Sequence, residues 1–595
     1  MIKQVSFLLK FPKRSILSAI LEHNGQSSFR SSLFHSNSMN FSTTSTIEAG
    51  NASDLQEGEF KTVQVGSTPD DAIIVAKVKG KFYAAGSKCP HYGAPLPKGL
   101  LFDDQIFCPW HNASFSVIDG FVSQGPTVDG LPTYPIHENK GKLYVEVPKE
   151  LVQGVRLPKT KRDPNDKRKF VILGAGCAGL SAVETLRQAG YTGEITLVSK
   201  EKNVTYDRTP LSKDIYGVDL KNLALRDNNF FDENDINLIR GAGASRLDPG
   251  SKTIEIEGGN ALKYDKLLIA TGGRARLPPI KGINLKNIFT VRNYEDSVAI
   301  REASRDIKNV VVIGASFIGI EAAVSIKYHF KDKVNVTVVD ALSVPFERVL
   351  GPEVGGAIKK YVEKNGLKLA LNAMVSSFEG TDKVEKVTLS DGTSLPADIV
   401  IVGAGIQPNT EFASKSLKVE RDGGIVVNEN LQTSENDIFA AGDIVWYPYK
   451  YVGHPVRIEH YSEAMNQGAI AALNMLGKSV AHRGNPFFWS WVFGLRMQYV
   501  GAGGDYDNIH VDGNIEDLDN NPSFLVYYAK GEKILSLLAN GRYRATIAYD
   551  MAMRNDCVPT MSEVKSGKVT IEDLKKRIMA KTDRSPCGRA GCCKM

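Results

Sequence analysis

At 595 residues the chain exceeds what one hydrophobic core supports, so several domains are expected. It is 42% hydrophobic and 24% charged, as a globular protein is, and no apolar run reaches the ~18 residues of a membrane span. The net charge of +6 is concentrated in residues 1–47, with five Lys or Arg against one Glu. The near-neutral remainder excludes the basic footprint of nucleic-acid binding.

Lys3, Lys10, Lys13, Arg14 and Arg30 lie among many serines, with Glu22 as the single acid. Ile16, Leu17, Ile20 and Leu21 share one helical face. A basic, Ser-rich, acid-poor, amphipathic start reads as a mitochondrial transit peptide, drawn here over residues 1–50. A disordered cytosolic tail is the alternative, so the expected location is the mitochondrion, with the cytoplasm as second choice.

Residues 57–150 alternate short strands with Gly and Pro turns, the pattern of a small antiparallel β domain. Within it stand Cys89-Pro-His91 and Cys108-Pro-Trp-His111, with sixteen residues between His91 and Cys108. Two such loops fit either a Cys2His2 zinc or a Rieske 2Fe–2S cluster. Zinc sites usually pair Cys with Cys and His with His, whereas each loop here supplies one of each. The spacing therefore favours the cluster, with Cys89, His91, Cys108 and His111 as ligands.

This stretch resembles Rieske ferredoxins and the Rieske domains of oxygenases. Rieske subunits of respiratory complexes carry a further Cys in each loop, forming a disulfide; Gly93 and Trp110 occupy those places. The loops also lack the full set of hydroxyl donors. Fewer hydrogen bonds to the cluster place its potential at the bottom of the Rieske range, about −150 mV, still within reach of NADH. Asn112 stands where such loops usually have Gly.

Residues 151–168 are polar, charged and proline-containing, and read as a linker. The stretch from Phe170 to Ser181, FVILGAGCAGLS, then runs an apolar strand into a glycine turn and a helix. Gly174, Gly176 and Gly179 form a dinucleotide fingerprint, followed by the strand Ile195 to Val198 and Glu201, an acid placed for a ribose. Phosphates bind at such a helix N-terminus. A second fingerprint, Gly314, Ser316 and Gly319, lies 140 residues later, and its next strand ends at Asp340. Two fingerprints imply two dinucleotides. Asp340 can accept from both ribose hydroxyls and repels a 2′-phosphate, so NADH is expected over NADPH. Ser316 in place of the middle glycine predicts weaker nucleotide binding.

These motifs, with YDRTPLSK, GASFIGIE and FFWSWVFGL, resemble the FAD-dependent pyridine-nucleotide reductases that serve ferredoxins. The match is best to the apoptosis-inducing factor family, in its Rieske-containing third type. The implied architecture is a small all-β Rieske domain, two α/β Rossmann-like nucleotide-binding domains and a C-terminal α+β domain. FAD takes residues 169–293 and 431–484, NAD takes 294–430, and the last domain is 485–580. By the same resemblance Glu201 meets the FAD ribose, Asp443 its ribityl chain, and Arg208, Thr271, Arg276 and Trp489 line that site. His460 and Tyr461 begin a helix aimed at the flavin, and Gly403 belongs to the nucleotide loops. Lys213 and Glu321 form an ion pair beside the flavin; an ordinary buried salt bridge is the alternative.

Cys177 lies inside the first fingerprint, but no Cys-x4-Cys occurs near the flavin segment. A dithiol reductase is therefore excluded, and Cys177 is expected simply to fill space. The tail, residues 581–595, carries Cys587, Cys592 and Cys593. Cys592 meets the prenylation frame only formally, and reversible thiol chemistry or no modification is expected. The expected activity is electron transfer from NADH through FAD to the cluster and on to an unnamed acceptor. Reduction of a quinone or radical by the flavin is the alternative, as is a low-turnover, redox-sensing cell-death partner. A homodimer is the candidate assembly.

Overall fold

The computed structural model describes residues 44–203, 205–520 and 522–583. Most of the expected transit peptide, and Cys587, Cys592 and Cys593 of the tail, lie outside the described residues. One unit takes the described residues up to Pro158 together with those from Ile547; the other is Lys159–Thr546.

The first unit opens with β1 (Thr44–Asn51), a stretch assigned by sequence largely to the leader. The three-stranded sheet orders β1, then β11 (Lys142–Pro148), then β10 (Ile136–Asn139). Thr44 faces Pro148 and Glu48 faces Tyr144, so residues 44–50 of the stretch given to the leader pair as a strand. A second sheet runs β2 (Phe60–Gln64), β3 (Ala72–Val78), β4 (Lys81–Gly86) and β9 (Thr133–Tyr134). β3 reads AIIVAKV, nearly continuously apolar, because it lies between two strands with both faces covered. The third sheet is β5 (Leu100–Phe102), β6 (Gln105–Phe107), β7 (Ser114–Ser116) and β8 (Val122–Gln124). Ile74, Leu96, Ile106 and Phe115 pack one apolar core with Cys89 and Cys108 inside it.

The second unit holds two parallel five-stranded sheets. The first orders strands 236–240, 194–199, 169–173, 266–269 and 438–440. The second orders 288–289, 399–402, 309–313, 335–339 and 368–370. In each, the central strand feeds a fingerprint helix: α1 (Cys177–Gln188) and α2 (Phe317–Phe330). Both strands are apolar runs, FVIL and VVVI, as sheets covered on two faces require. A third helix, α3 (Tyr461–Met475), crosses α1 closely: a Cβ on Gly468 would stand 2.1 Å from the Ala178 carbonyl oxygen. An antiparallel five-stranded sheet follows within Phe487–Asn540. Val492, Met497, Val526 and Leu538 of that sheet join the core around Val312, Ile320 and Val338.

Two expectations on domain limits meet a different arrangement. Residues 485–580 were read as one α+β domain, but helix α4 (Tyr543–Arg554) crosses from one unit to the other at Ile547. Helices Met561–Lys565 and Ile571–Asp583 belong to the first unit. The polar contacts that tie α4 to β-domain residues span more than 400 positions, so no local pattern announces them. The stretch 151–168, read as a linker, is also tied down within each unit. Gln153 donates to the carbonyls of Cys89 and Pro90 at 3.0 and 3.2 Å. Farther on, Lys159 pairs with Glu184 at 2.8 Å, both nearly buried, and Thr160 N–H donates to Arg187 O.

Candidate functional site

The first unit presents two loops, one between β4 and β5 and one between β6 and β7, closed by the same backbone pattern. Cys89 N–H donates to Ala94 O and Gly93 N–H to Cys89 O; Cys108 N–H donates to Ala113 O and Asn112 N–H to Cys108 O. Gly93 and Asn112 hold matching places, both left-handed, at φ 72° and 59°. This turn explains the expectation of glycine at 112, and Asn is among the few other residues that tolerate it.

The loops bring all four predicted ligands together. Nδ1 of His91 lies 3.0 Å from Nδ1 of His111, and the Cys89 and Cys108 thiols hydrogen-bond to each other. Backbone N–H groups of His91 and Tyr92 donate to the Cys89 sulfur, and those of Trp110 and His111 to Cys108. Both cysteines are buried, while the imidazoles are half-buried beside the exposed Tyr92. Among the described residues no three His, Cys, Asp or Glu side chains gather at one metal position. The donors form a thiol pair and an imidazole pair instead. That division fits a two-iron cluster with two sulfur ligands on one iron and two nitrogen ligands on the other.

In the second unit the two fingerprints are near duplicates. Gly174 and Gly314 turn at φ 102° and 103°, and their N–H groups donate to Val198 O and Val339 O. A Cβ on Gly179 or Gly319 would lie 1.9 Å from the carbonyl oxygen of Gly174 or Gly314, so only glycine lets the helix approach. At Gly176, by contrast, a Cβ would meet nothing within 4 Å. An open cradle at a helix N-terminus fits a pyrophosphate. In the second fingerprint the Ser316 hydroxyl turns back to donate to Gly403 O at 3.2 Å. The Asp340 carboxylate accepts from Ala315 N–H at 2.5 Å and from Leu342 N–H at 2.8 Å, and so braces the same turn.

Glu201 accepts from the Tyr206 hydroxyl at 2.6 Å and pairs with Arg208, which also donates to Tyr206 and to Arg292 O. Asp443 pairs with Arg292 at 2.9 Å, and its carbonyl accepts from Arg457 at 2.9 Å. The preceding Gly442 N–H donates to Gln467 Oε1 of α3, fixing the Asp443 turn to that helix. Thr271 donates to Asn409 O, and Arg276 is exposed with its N–H bonded to Gly405 O. Tyr461 and Trp489 meet edge to face at 6.5 Å. His460 Nδ1 is buried with no hydrogen-bond partner among the described residues, and burial lowers this imidazole to about 4. An orphaned polar atom at the start of α3 fits a site completed by a polar ligand. Burial also pushes the Cys177 thiol up to about 12, with Asp443 adding to it.

Lys213 and Glu321 meet at 3.1 Å, and Glu321 also accepts from Ser212 and Ser490 at 2.5 and 2.6 Å. Ser490, Arg292, Gln153 and Gln124 were not singled out from sequence. Each acts through a contact distant along the chain, and a lone Ser, Arg or Gln carries no spacing signal.

The geometry therefore defines a two-nucleotide oxidoreductase joined to an iron–sulfur domain. Residues 168–468 match the family described as pyridine nucleotide-disulphide oxidoreductase, and residues 45–135 match the Rieske [2Fe-2S] domain. The chain is 34% identical over 494 residues to apoptosis-inducing factor 3 of Homo sapiens, covering 81% of this chain and 80% of that one. It is 35% identical to rhodocoxin reductase of Rhodococcus erythropolis, over 58% of this chain and 81% of the relative. Among solved structures, the covalent putidaredoxin reductase–putidaredoxin complex matches with a TM-score of 0.65 and 30% identity, covering 71% of this chain and all of that one. The protein belongs to the pyridine nucleotide-disulphide oxidoreductase family and carries a Rieske domain in the same chain, as an FAD-dependent, nicotinamide-using oxidoreductase. Among the described residues no helix is long and apolar enough to cross a membrane.

Proposed function

We propose that this protein takes electrons from NADH and passes them, by way of FAD, to a Rieske cluster held by Cys89, His91, Cys108 and His111, and on to a separate acceptor. FAD supplies the exchange between a hydride pair and single electrons, and the cluster accepts electrons singly. The observation that carries the reading is the presence, in one chain, of two dinucleotide turns and the paired thiol and imidazole loops. The cysteine in the first fingerprint is half-buried, with its thiol raised and no second cysteine beside it among the described residues, so dithiol chemistry has no candidate there. One relative is named the ferredoxin–NAD(+) reductase component of a biphenyl dioxygenase system; here the Rieske domain stands in the ferredoxin's role.

The chain's own groups divide the labour. Gly174, Gly176, Gly179 and Glu201 hold FAD, with Arg208, Thr271, Arg276, Asp443 and Trp489 around it. Gly314, Ser316, Gly319, Gly403 and Asp340 hold NADH, and the Asp340 carboxylate disfavours a 2′-phosphate. Lys213, anchored by Glu321, fixes the place where the nicotinamide meets the flavin. The N-terminus of α3, at His460 and Tyr461, offers the positive end of a helix dipole to negative charge. The basic leader directs the protein to the mitochondrion, and a homodimer is the assembly assigned.

The test is an anaerobic NADH titration followed by absorbance and low-temperature EPR. Flavin bleaching with a Rieske signal appearing within turnover time supports the reading. Flavin bleaching with the cluster left oxidised sinks internal transfer in this direction and favours a quinone or radical acceptor. Negligible turnover with an NADH-dependent change of assembly favours a redox-sensing binding role, in keeping with the name of the apoptosis-inducing factor 3 relatives.

A further inference from the structure

Asn112 occupies a left-handed turn that glycine fills at the matching place in the first loop. Its side chain is 1% exposed, and a buried amide needs partners. Its Nδ2 donates to Asp550 Oδ2 of α4 at 2.8 Å. Asp550 has no exposed side-chain surface and is gripped on both oxygens by Arg554, at 2.9 and 3.0 Å. The same guanidinium donates to Gln124 Oε1, and Gln124 Nε2 donates back to Asn112 O at 2.9 Å. The four side chains thus close a ring through the residue that follows His111. One carboxylate and one guanidinium in the ring offset each other.

We propose that Asp550 and Arg554 are positioning residues of the Rieske cluster. From the far end of the chain they clamp the second ligand loop and set the charge beside His111. The proposal rests on the reading of Cys89, His91, Cys108 and His111 as cluster ligands. Two consequences separate a clamp that tunes the cluster from ordinary packing. In a site poor in water, a lone charge acts strongly on its neighbours. Removing the carboxylate alone leaves Arg554 uncompensated, which favours the more negative, reduced cluster and raises its potential. Removing the guanidinium alone leaves a buried carboxylate, which lowers it. A purely structural role has no reason to produce opposite signs.

The experiment is an EPR-monitored redox titration of the full holoprotein and of Asp550→Asn, Arg554→Gln, the double variant and Asn112→Gly. The last keeps the left-handed turn and removes only the tie to α4. The expected result is an upward midpoint shift for D550N, a downward shift for R554Q and a return toward wild type in the double variant. N112G is expected to give broadened g-values and faster cluster loss. Loss of the cluster from D550N or R554Q with FAD retained also supports the clamp. Unchanged midpoints in both charge variants together with an unchanged N112G signal overturn it. So does loss of cluster and FAD together while N112G stays wild type. Absence of a Rieske signal in the wild type itself is a different result, because it removes the ligand reading beneath the proposal.

Discussion

Lys213 Nζ lies 3.1 Å from Glu321 Oε2, joining a short turn of the first nucleotide domain to α2 of the second. Glu321 is 2% exposed and has three donors: Lys213, Ser212 and Ser490. Breaking a buried pair leaves an uncompensated charge, whereas replacing both partners is often neutral. Lys213→Met is therefore expected to lose about 3 kcal/mol of stability. NADH-to-flavin transfer should fall by about 100-fold through misplacement of the nicotinamide. The double variant K213M/E321L should regain the stability without regaining the rate. Denaturation monitored by flavin fluorescence, with stopped-flow reduction, measures both; a wild-type rate in K213M rules out the positioning role.

Asp340, proposed to accept from the nucleotide ribose, has a second task, since its carboxylate braces the turn through Ala315 and Leu342 N–H. Asp340→Ala should thus raise the KM for NADH by about 10-fold, or about 1.4 kcal/mol. It should improve NADPH much less than removal of a repelling charge alone would suggest. Steady-state kinetics with both nucleotides decide it: a large gain in NADPH turnover with unchanged NADH KM contradicts the bracing role.

His460 titrates at about 4 in the folded chain against 6.5 when unfolded, because it is buried. Between those values the unfolded chain binds more protons, so this residue makes stability rise as pH climbs from about 4 to 6.5 and fall on acidification. Above pH 6.5 it contributes no slope. Its His460→Gln variant should show a flatter stability profile in that window and an unchanged one above it. Urea denaturation at a series of pH values tests this, and an unaltered slope in H460Q refutes it.

Backbone N–H groups of His91, Tyr92, Trp110 and His111 donate to the sulfurs of Cys89 and Cys108, the proposed cluster ligands. The cluster potential is expected near the bottom of the Rieske range, about −150 mV. A midpoint well above zero in an EPR redox titration would show that hydroxyl donors or another influence dominate.

Cys177 has its thiol pushed up to about 12 by burial. At pH 8 it should resist alkylation, and Cys177→Ala should keep wild-type NADH turnover. Rapid labelling at this site, found by peptide mapping, would reopen thiol chemistry next to the nucleotide.

Much of the architecture was legible because its signals are local. GAGCAG and GASFIG each declare a strand, a turn and a helix within a dozen residues. The two Cys–His loops declare their chemistry in three or four. The contacts that support those motifs were not legible. Gln153 lies in a stretch that reads as linker, and its role depends on reaching Cys89 O. Arg292 matters through Asp443, 151 positions away. The end of the leader was overdrawn because the sequence from Thr44 lacks a strong strand pattern. Its pairing with β11 holds it, a tertiary effect that overrides propensity.

Asp550 and Asn112 are 438 residues apart in the chain. At about 5–20 residues per second, a ribosome makes the second ligand loop some 20 to 90 s before the helix that closes on it. During that interval both ligand loops exist, yet the ring through Asn112 cannot form. Iron–sulfur insertion into the nascent chain would meet an open loop, whereas insertion after release would meet a finished one. The order of synthesis therefore leaves the second ligand loop without its ring until 438 further residues have been made.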